Sequence, residues 1–236
     1  MPEITIPAHD GGSFKAYIAL PDTAPAPVMI MIQEIFGINQ EMREKCDDMA
    51  AQGYIAVCPD LFWRIEPGIE LVDSEPDQLQ RAFDLFGEFN VDLGLADLKS
   101  TLNYMRTYES ANGKAGCAGY CLGGKLAYMM ATGSDIDASV SYYGVGIEDM
   151  LDDANNIQNP LLMHIAEEDE FVSKDAQEQI KLALMPKPRI AIHSYAGVQH
   201  AFARGQGMHY NADAAREANQ RTREFLSKAL LEKKAA

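Results

Sequence analysis

The sequence predicts an α/β fold, one domain spanning residues 1–236 with a mostly parallel sheet and helices on both of its faces. Three observations predict it. Short apolar runs alternate with segments of helical period along the chain, and strands separated by crossover helices pair in parallel. The runs, residues 28–32 above all, are nearly continuously apolar, as a strand buried on both faces requires. Finally, 236 residues, 47% of them hydrophobic and 23% charged, suffice to bury roughly 70% of the unfolded surface. No internal repeat, low-complexity tract or change of composition marks a linker.

Taken in order, the spacing predicts strands over residues 14–20 and 28–32. A helix over 39–52 follows, with Asn39 as N-cap, Glu41 in the first turn and Gly53 as its stop. Residues 54–58 form the next strand, closed by Pro59. The stretch 60–77 carries Pro67, Gly68 and Pro76 among scattered Phe62, Trp63 and Ile65. It is too long for a plain connection, and such excursions are commonly functional. Helices over 78–89 and 92–108 precede a turn at Asn112-Gly113 and a strand over 114–118. Then come a helix over 122–131, strands over 138–142 and 161–165, a helix over 173–184 and a strand over 190–195. The last helix runs over 212–232, with Asn211 as N-cap.

Twenty Lys and Arg against 35 Asp and Glu give a net charge of -15, which repels nucleic acid and anionic membranes alike. Four cysteines, Cys46, Cys58, Cys117 and Cys121, read as reduced thiols. The first residues carry no basic, apolar leader, and the run 28–32 falls far short of a membrane span. A cytoplasmic protein is expected. Its partner is then a small molecule, with no nucleic acid and no membrane; a monomer is compatible with the sequence, which leaves the oligomeric state open.

In parallel sheets ligands bind beyond the carboxyl ends of the strands, here the loops after Ile32, Cys58, Ala118, Tyr142, Ile165 and Tyr195. After the strand 114–118 comes Gly119-Tyr120-Cys121-Leu122-Gly123-Gly124, a G-x-C-x-G turn between strand and helix. The composition predicts roughly 0.02 chance occurrences of that pattern. In this geometry the central side chain projects above the sheet at a helix N-terminus, and only small residues fit beside it. The other reading of Cys121 is a small buried hydrophobe. Cys117, Cys46 and Cys58 read as core.

A thiol nucleophile needs a histidine base and an acid to orient it, in the chain order nucleophile, acid, histidine. His9 precedes the thiol, and His164 and His193 fall inside strands, which leaves His200 and His209. His200 follows the strand 190–195 at the right sheet edge. For the acid, the strand 161–165 ends in Glu167-Glu168-Asp169-Glu170, from which we select Asp169 ahead of Glu168.

With these residues the chain resembles the dienelactone hydrolase family, the carboxymethylenebutenolidases, of the α/β-hydrolase fold. The resemblance covers about Ile4 to Leu230. It rests on Gln33-Glu34-Ile35-Phe36-Gly37, on Gly53-Tyr54 with Val57-Cys58-Pro59-Asp60-Leu61, on the Cys121 turn, on Tyr142-Tyr143-Gly144, and on His200 with Phe202-Ala203-Arg204. It implies a Cys121, His200, Asp169 triad, with the amides of Leu122 and Ile35 as oxyanion donors and Glu34 close to the thiol. A carboxylate there opposes thiolate formation, while the helix N-terminus and His200 favour it.

The resemblance further implies hydrolysis of a small lactone through a thioester, as in aromatic catabolism, with no cofactor and no metal. A related esterase or thioesterase, or a silent ligand-binding member, is the alternative. Substrate contacts fall to Arg204, Arg81, Tyr143, Phe36 and Phe83. Arg81 stands about two positions from the family's second arginine, roughly 200° around a helix. Phe83 and Phe86 replace larger or hydroxylated aromatics, and Glu167 and Glu168 replace small residues.

Overall fold

The alternating pattern becomes eight strands and six α-helices among the described residues, 2–232 of the computed structural model. Its internal contacts divide into two compact units, Met1–Ala115 and Gly116–Ala236.

In the first unit β1 (Glu3–Pro7) pairs antiparallel with β2 (Ser13–Ala19). The strand β2 in turn pairs antiparallel with β4 (Ile55–Pro59), which lies parallel to the wholly buried β3 (Ala26–Ile32). The spacing did not predict β1. Its five residues alternate Ile4 and Ile6 with polar neighbours, a pattern too short to stand out until β2 supplies a partner. Helix α1 (Gln40–Ala51) starts as expected, Asn39 Oδ1 accepting from the Met42 amide at 3.1 Å. Helices α2 (Pro76–Glu88) and α3 (Val91–Arg106) follow, the first opening on its proline and the second capped by Asn90.

The long excursion before α2 is fixed by two buried carboxylates. Asp60 accepts from the amides of Phe62 at 3.0 Å and Gly68 at 2.7 Å. Asp97 on α3 accepts from Trp63 Nε1 and from both sides of the Arg64 guanidinium, at 2.8 to 3.1 Å. The excursion is therefore an ordered loop. Cys46 and Cys58 are fully buried, as core residues should be.

Strand β5 (Ala111–Tyr120) enters the second unit at Gly116, and there it, β6 (Ala138–Tyr142), β7 (Leu161–Ala166) and β8 (Ile190–Tyr195) are parallel neighbours in that order. Strand β5 starts three residues earlier than expected, because the Asn112-Gly113 turn is accommodated within it. Asn112 Oδ1 accepts from the Lys114 amide at 3.0 Å, and Gly113 takes a φ of 90°. A 3-10 helix, Glu148–Asn156, which the spacing missed, covers the apolar cluster of Tyr128, Ile147, Leu161, Met163 and Ile180. Helices α4 (Leu122–Gly133), α5 (Lys174–Leu184) and α6 (Ala212–Leu226) complete the unit. The last of these stops short of the expected 232 and gives way to a wider π-type turn, Ser227–Leu231.

Helix α6 is pinned by a buried polar chain. Thr222 Oγ1 lies 2.6 Å from Tyr142 Oη and 3.0 Å from His164 Nε2, while His164 Nδ1 lies 2.8 Å from Tyr195 Oη. Arg221 closes the chain by donating to Tyr195 Oη at 3.1 Å. Burial, seconded by the charges of His193 and Arg221, holds the His164 imidazole well below its usual range. The folded protein thus keeps His164 neutral, whereas the unfolded chain takes up its proton below about pH 6.5. Stability accordingly falls as pH drops through that value, by about 1.4 kcal/mol per unit for this group. Thermal melting between about pH 7 and pH 5 checks this: the loss shrinks in His164→Gln, and an equal loss in both proteins contradicts it.

Candidate active site

Strand β5 ends at Tyr120 and α4 begins at Leu122, so Cys121 alone makes the turn between them. It does so at φ 54°, ψ -114°, a left-handed conformation that side chains rarely adopt. Gly119 and Gly124 are demanded by contact. A Cβ on Gly119 would sit 1.9 Å from the Gly123 carbonyl oxygen, and one on Gly124 would sit 2.5 Å from that of Tyr142. That Tyr142 carbonyl also accepts from the Cys121 amide at 3.1 Å, tying the turn to β6. The thiol thus stands at the start of α4, beside the first-turn N–H groups that a helix cannot satisfy itself.

The acid comes from the loop after β7. Asp169 is buried there, with Oδ1 accepting from the Phe171 amide at 2.9 Å and Oδ2 accepting from His200 Nδ1 at 2.8 Å. Glu168, the other candidate, is exposed and paired with Lys174 at 2.9 Å. His200 is the histidine that meets the acid, not His209. Its neighbours include the rings of Phe171, centroid 4.8 Å away, and Tyr143, 5.1 Å away.

The electrostatics of His200 involve all three groups. Burial pulls its pKa down, but the neighbouring Cys121 and the hydrogen bond to Asp169 outweigh it, and the net effect pushes the imidazole up to about 10. Its Nε2 makes no conventional hydrogen bond, the sulfur being the group that acts on it. Cys121 is the partly exposed thiol of the four; burial pushes Cys117 up to about 12 and Cys46 also well above its usual range. Three residues other than glycine adopt a positive φ among those described: Cys121, Tyr143 and Ala201. All three are site residues or adjoin one, and strain of this kind persists where function holds it in place.

A thiol at a helix N-terminus, an imidazole and an orienting carboxylate form a constellation able to carry covalent acyl transfer. The model of the family described as dienelactone hydrolase matches residues 14–230. The chain belongs to the dienelactone hydrolase family. A relative from Azospirillum brasilense is 46% identical over 231 residues, 98% of this chain and 100% of that one. The carboxymethylenebutenolidase of Pseudomonas putida is 39% identical over 224 residues, 95% of each chain. A solved structure from Klebsiella pneumoniae subsp. pneumoniae superposes with a TM-score of 0.84 at 25% identity, covering 96% of this chain and 97% of that one. This member of the dienelactone hydrolase family is a carboxylic ester hydrolase with an α/β-hydrolase fold.

Of the other residues expected at a dienelactone hydrolase site, Tyr143 and Arg204 lie in the second unit with the Cys121 turn. Tyr143 is buried against His200, and Arg204 follows it by four residues in a turn closed by its own amide to the Ala201 carbonyl at 2.9 Å. The rest lie in the first unit. Glu34, Ile35 and Phe36 are buried just past the carboxyl end of β3, where Gln33 Nε2 donates to the Glu34 carbonyl at 3.3 Å. Arg81 is engaged on the surface by Glu66 at 2.7 Å and Glu88 at 3.4 Å, and Phe83 is half-exposed. Sequence reasoning missed Phe171, whose amide holds Asp169 and whose ring covers His200. Its place two residues after the acid was the available signal. No helix among the described residues is long and apolar enough to cross a membrane.

Proposed function

We propose that this hydrolase opens a small lactone through a Cys121, His200, Asp169 triad and a covalent thioester. The observation that carries the reading is the buried His200–Asp169 pair, 2.8 Å apart, together with a thiol held at positive φ on a strand-to-helix turn and acting on the His200 imidazole. The thiolate attacks the lactone carbonyl carbon, and the resulting oxyanion accepts a hydrogen bond from the Leu122 amide. As the ring C–O bond breaks, the departing oxygen takes the proton of the His200 imidazolium. His200, now neutral, removes a proton from water, which attacks the thioester. The C–S bond breaks, the acid product leaves, and the thiolate and imidazolium are restored.

The substrate class follows from the relatives' name, a butenolide bearing a carboxymethylene group. A chain of charge -15 holds such an anion only by a local cation, because remote charges are screened beyond about 8 Å. Arg204 is the residue we assign to it. Arg204→Ala should lower kcat/KM for a lactone acid by roughly ten- to 150-fold relative to its methyl ester, the worth of one contact to a charged group. Acid-quenched turnover analysed by mass spectrometry should find the acyl group on Cys121. Equal losses for acid and methyl ester would replace the lactone-acid reading with that of a simple esterase.

A further inference from the structure

We propose that Gln177 is a positioning residue, which holds the loop carrying Asp169 closed from behind and so sets the aim of the acid at His200. The inference rests on the triad reading and adds a residue to it. Gln177 lies in the first turns of α5 and is 2% exposed. Its Nε2 donates to the Val172 carbonyl at 2.8 Å and to the Glu167 carbonyl at 3.2 Å. Those two carbonyls bracket the loop, and Asp169 sits between them.

The other ties of this loop explain why that bridge matters. On the side of His200, the Glu167 amide donates to the Tyr195 carbonyl at 3.1 Å and the Glu168 amide to the Val198 carbonyl at 2.9 Å. These rungs extend the parallel pairing of β7 with β8, whose last pair is Ala166 with Tyr195, into the two catalytic loops. They fix residues 167 and 168 only. From Asp169 to Val172 the backbone has left the ladder, and the bond from the Phe171 amide to Asp169 is local to the bend. Gln177 is the buried side chain that returns the far end of the bend to its start. Lys174 also donates to the Glu167 carbonyl, but it is exposed and reaches one end alone.

A buried amide that bridges two carbonyls is costly to lose, because the Val172 carbonyl is then left unsatisfied, the Glu167 carbonyl keeps only the exposed Lys174, and the tie between the two ends of the loop is gone. A displacement of about 1 Å in a positioned group costs up to about a hundredfold in rate.

The test compares Gln177→Met, which keeps the length and removes both donors, with Gln177→Asn, whose amide is one methylene short, and with Asp169→Asn. Turnover of an activated ester and the rate of Cys121 alkylation are read on each folded protein. We expect Gln177→Met to lose about ten- to a hundredfold in kcat with KM within about twofold, and alkylation to slow in step, because the thiolate depends on an oriented His200. Gln177→Asn should fall between it and the parent. A lowered melting temperature with kcat and alkylation unchanged would make Gln177 merely structural and overturn the proposal. Should Gln177→Met fail to fold, Gln177→Asn decides on the same two readings. If Asp169→Asn loses orders of magnitude while the Gln177 variants lose nothing, positioning fails and the triad stands; if Asp169→Asn itself turns over normally, it is the triad that fails.

Discussion

Cys121→Ala should lose three or more orders of magnitude in ester turnover, about 4 kcal/mol or more of transition-state stabilisation, while melting like its parent. The thiol is partly exposed at the tip of a turn and fills no core space, so removing it leaves the apolar clusters intact. Alanine at the same positive φ is no more strained than cysteine. Steady-state rates and thermal melting on the same preparation check both halves of the statement. Alkylation provides the independent reading. A thiol reagent should modify Cys121 far ahead of Cys46, Cys58 and Cys117, which are fully buried, and should inactivate in proportion to that modification. If Cys121→Ala keeps more than about a tenth of the parental rate, only 1.4 kcal/mol was lost and another group is the nucleophile.

His200→Ala should cost orders of magnitude in kcat, whereas His209→Ala should cost little, since the imidazole within reach of Asp169 is that of His200. The pH profile carries the sharper signature. Burial lowers His200, but the neighbouring Cys121 and the bond to Asp169 overcome it and push the imidazole up to about 10, so kcat/KM should fall on the alkaline side near that value and not near 6.5. Above it the imidazolium is gone, and the departing oxygen has no proton to take. In His200→Ala the residual rate should lack that limb. The same raised pKa makes a stability statement of opposite sign to that of His164: the contribution is complete below about pH 6.5 and is lost as pH rises through about 10. Equal losses at His200 and His209 would remove His200 from the role of base.

How much of this was legible in the sequence depended on how local each signal was. The Cys121 turn could be read because Gly119 answers to a contact four residues away and Gly124, just beyond the pattern, to one neighbouring strand. Strand β7 was legible because a parallel strand buried on both faces is nearly continuously apolar, here Leu161, Leu162, Met163, Ile165 and Ala166 around His164. Asp169 was separable from Glu168 only by position in the loop, and the structure shows the physical difference: one side chain turns inward to His200, the other out to Lys174. Strand β1 and the 3-10 helix Glu148–Asn156 escaped because each acquires its order from a partner distant in sequence. Gln177 and Phe171 escaped for a related reason. Nothing in a lone glutamine on an amphipathic helix announces that two loop carbonyls will meet its amide.

The backbone at position 121 also limits which enzymes can descend from this one by single substitutions. At φ 54° a side chain branched at Cβ meets its own backbone, so threonine, whose hydroxyl is chemically fit for acyl transfer, is excluded on conformational grounds. Serine alone among the remaining hydroxyl residues is both unbranched and short enough to occupy the tip of the turn. The turn therefore leaves one exchange of nucleophile open, sulfur for oxygen. In a serine descendant the sulfur that helps to raise the imidazole is gone, and burial then pulls His200 down, toward the neutral form that a hydroxyl nucleophile needs as its general base.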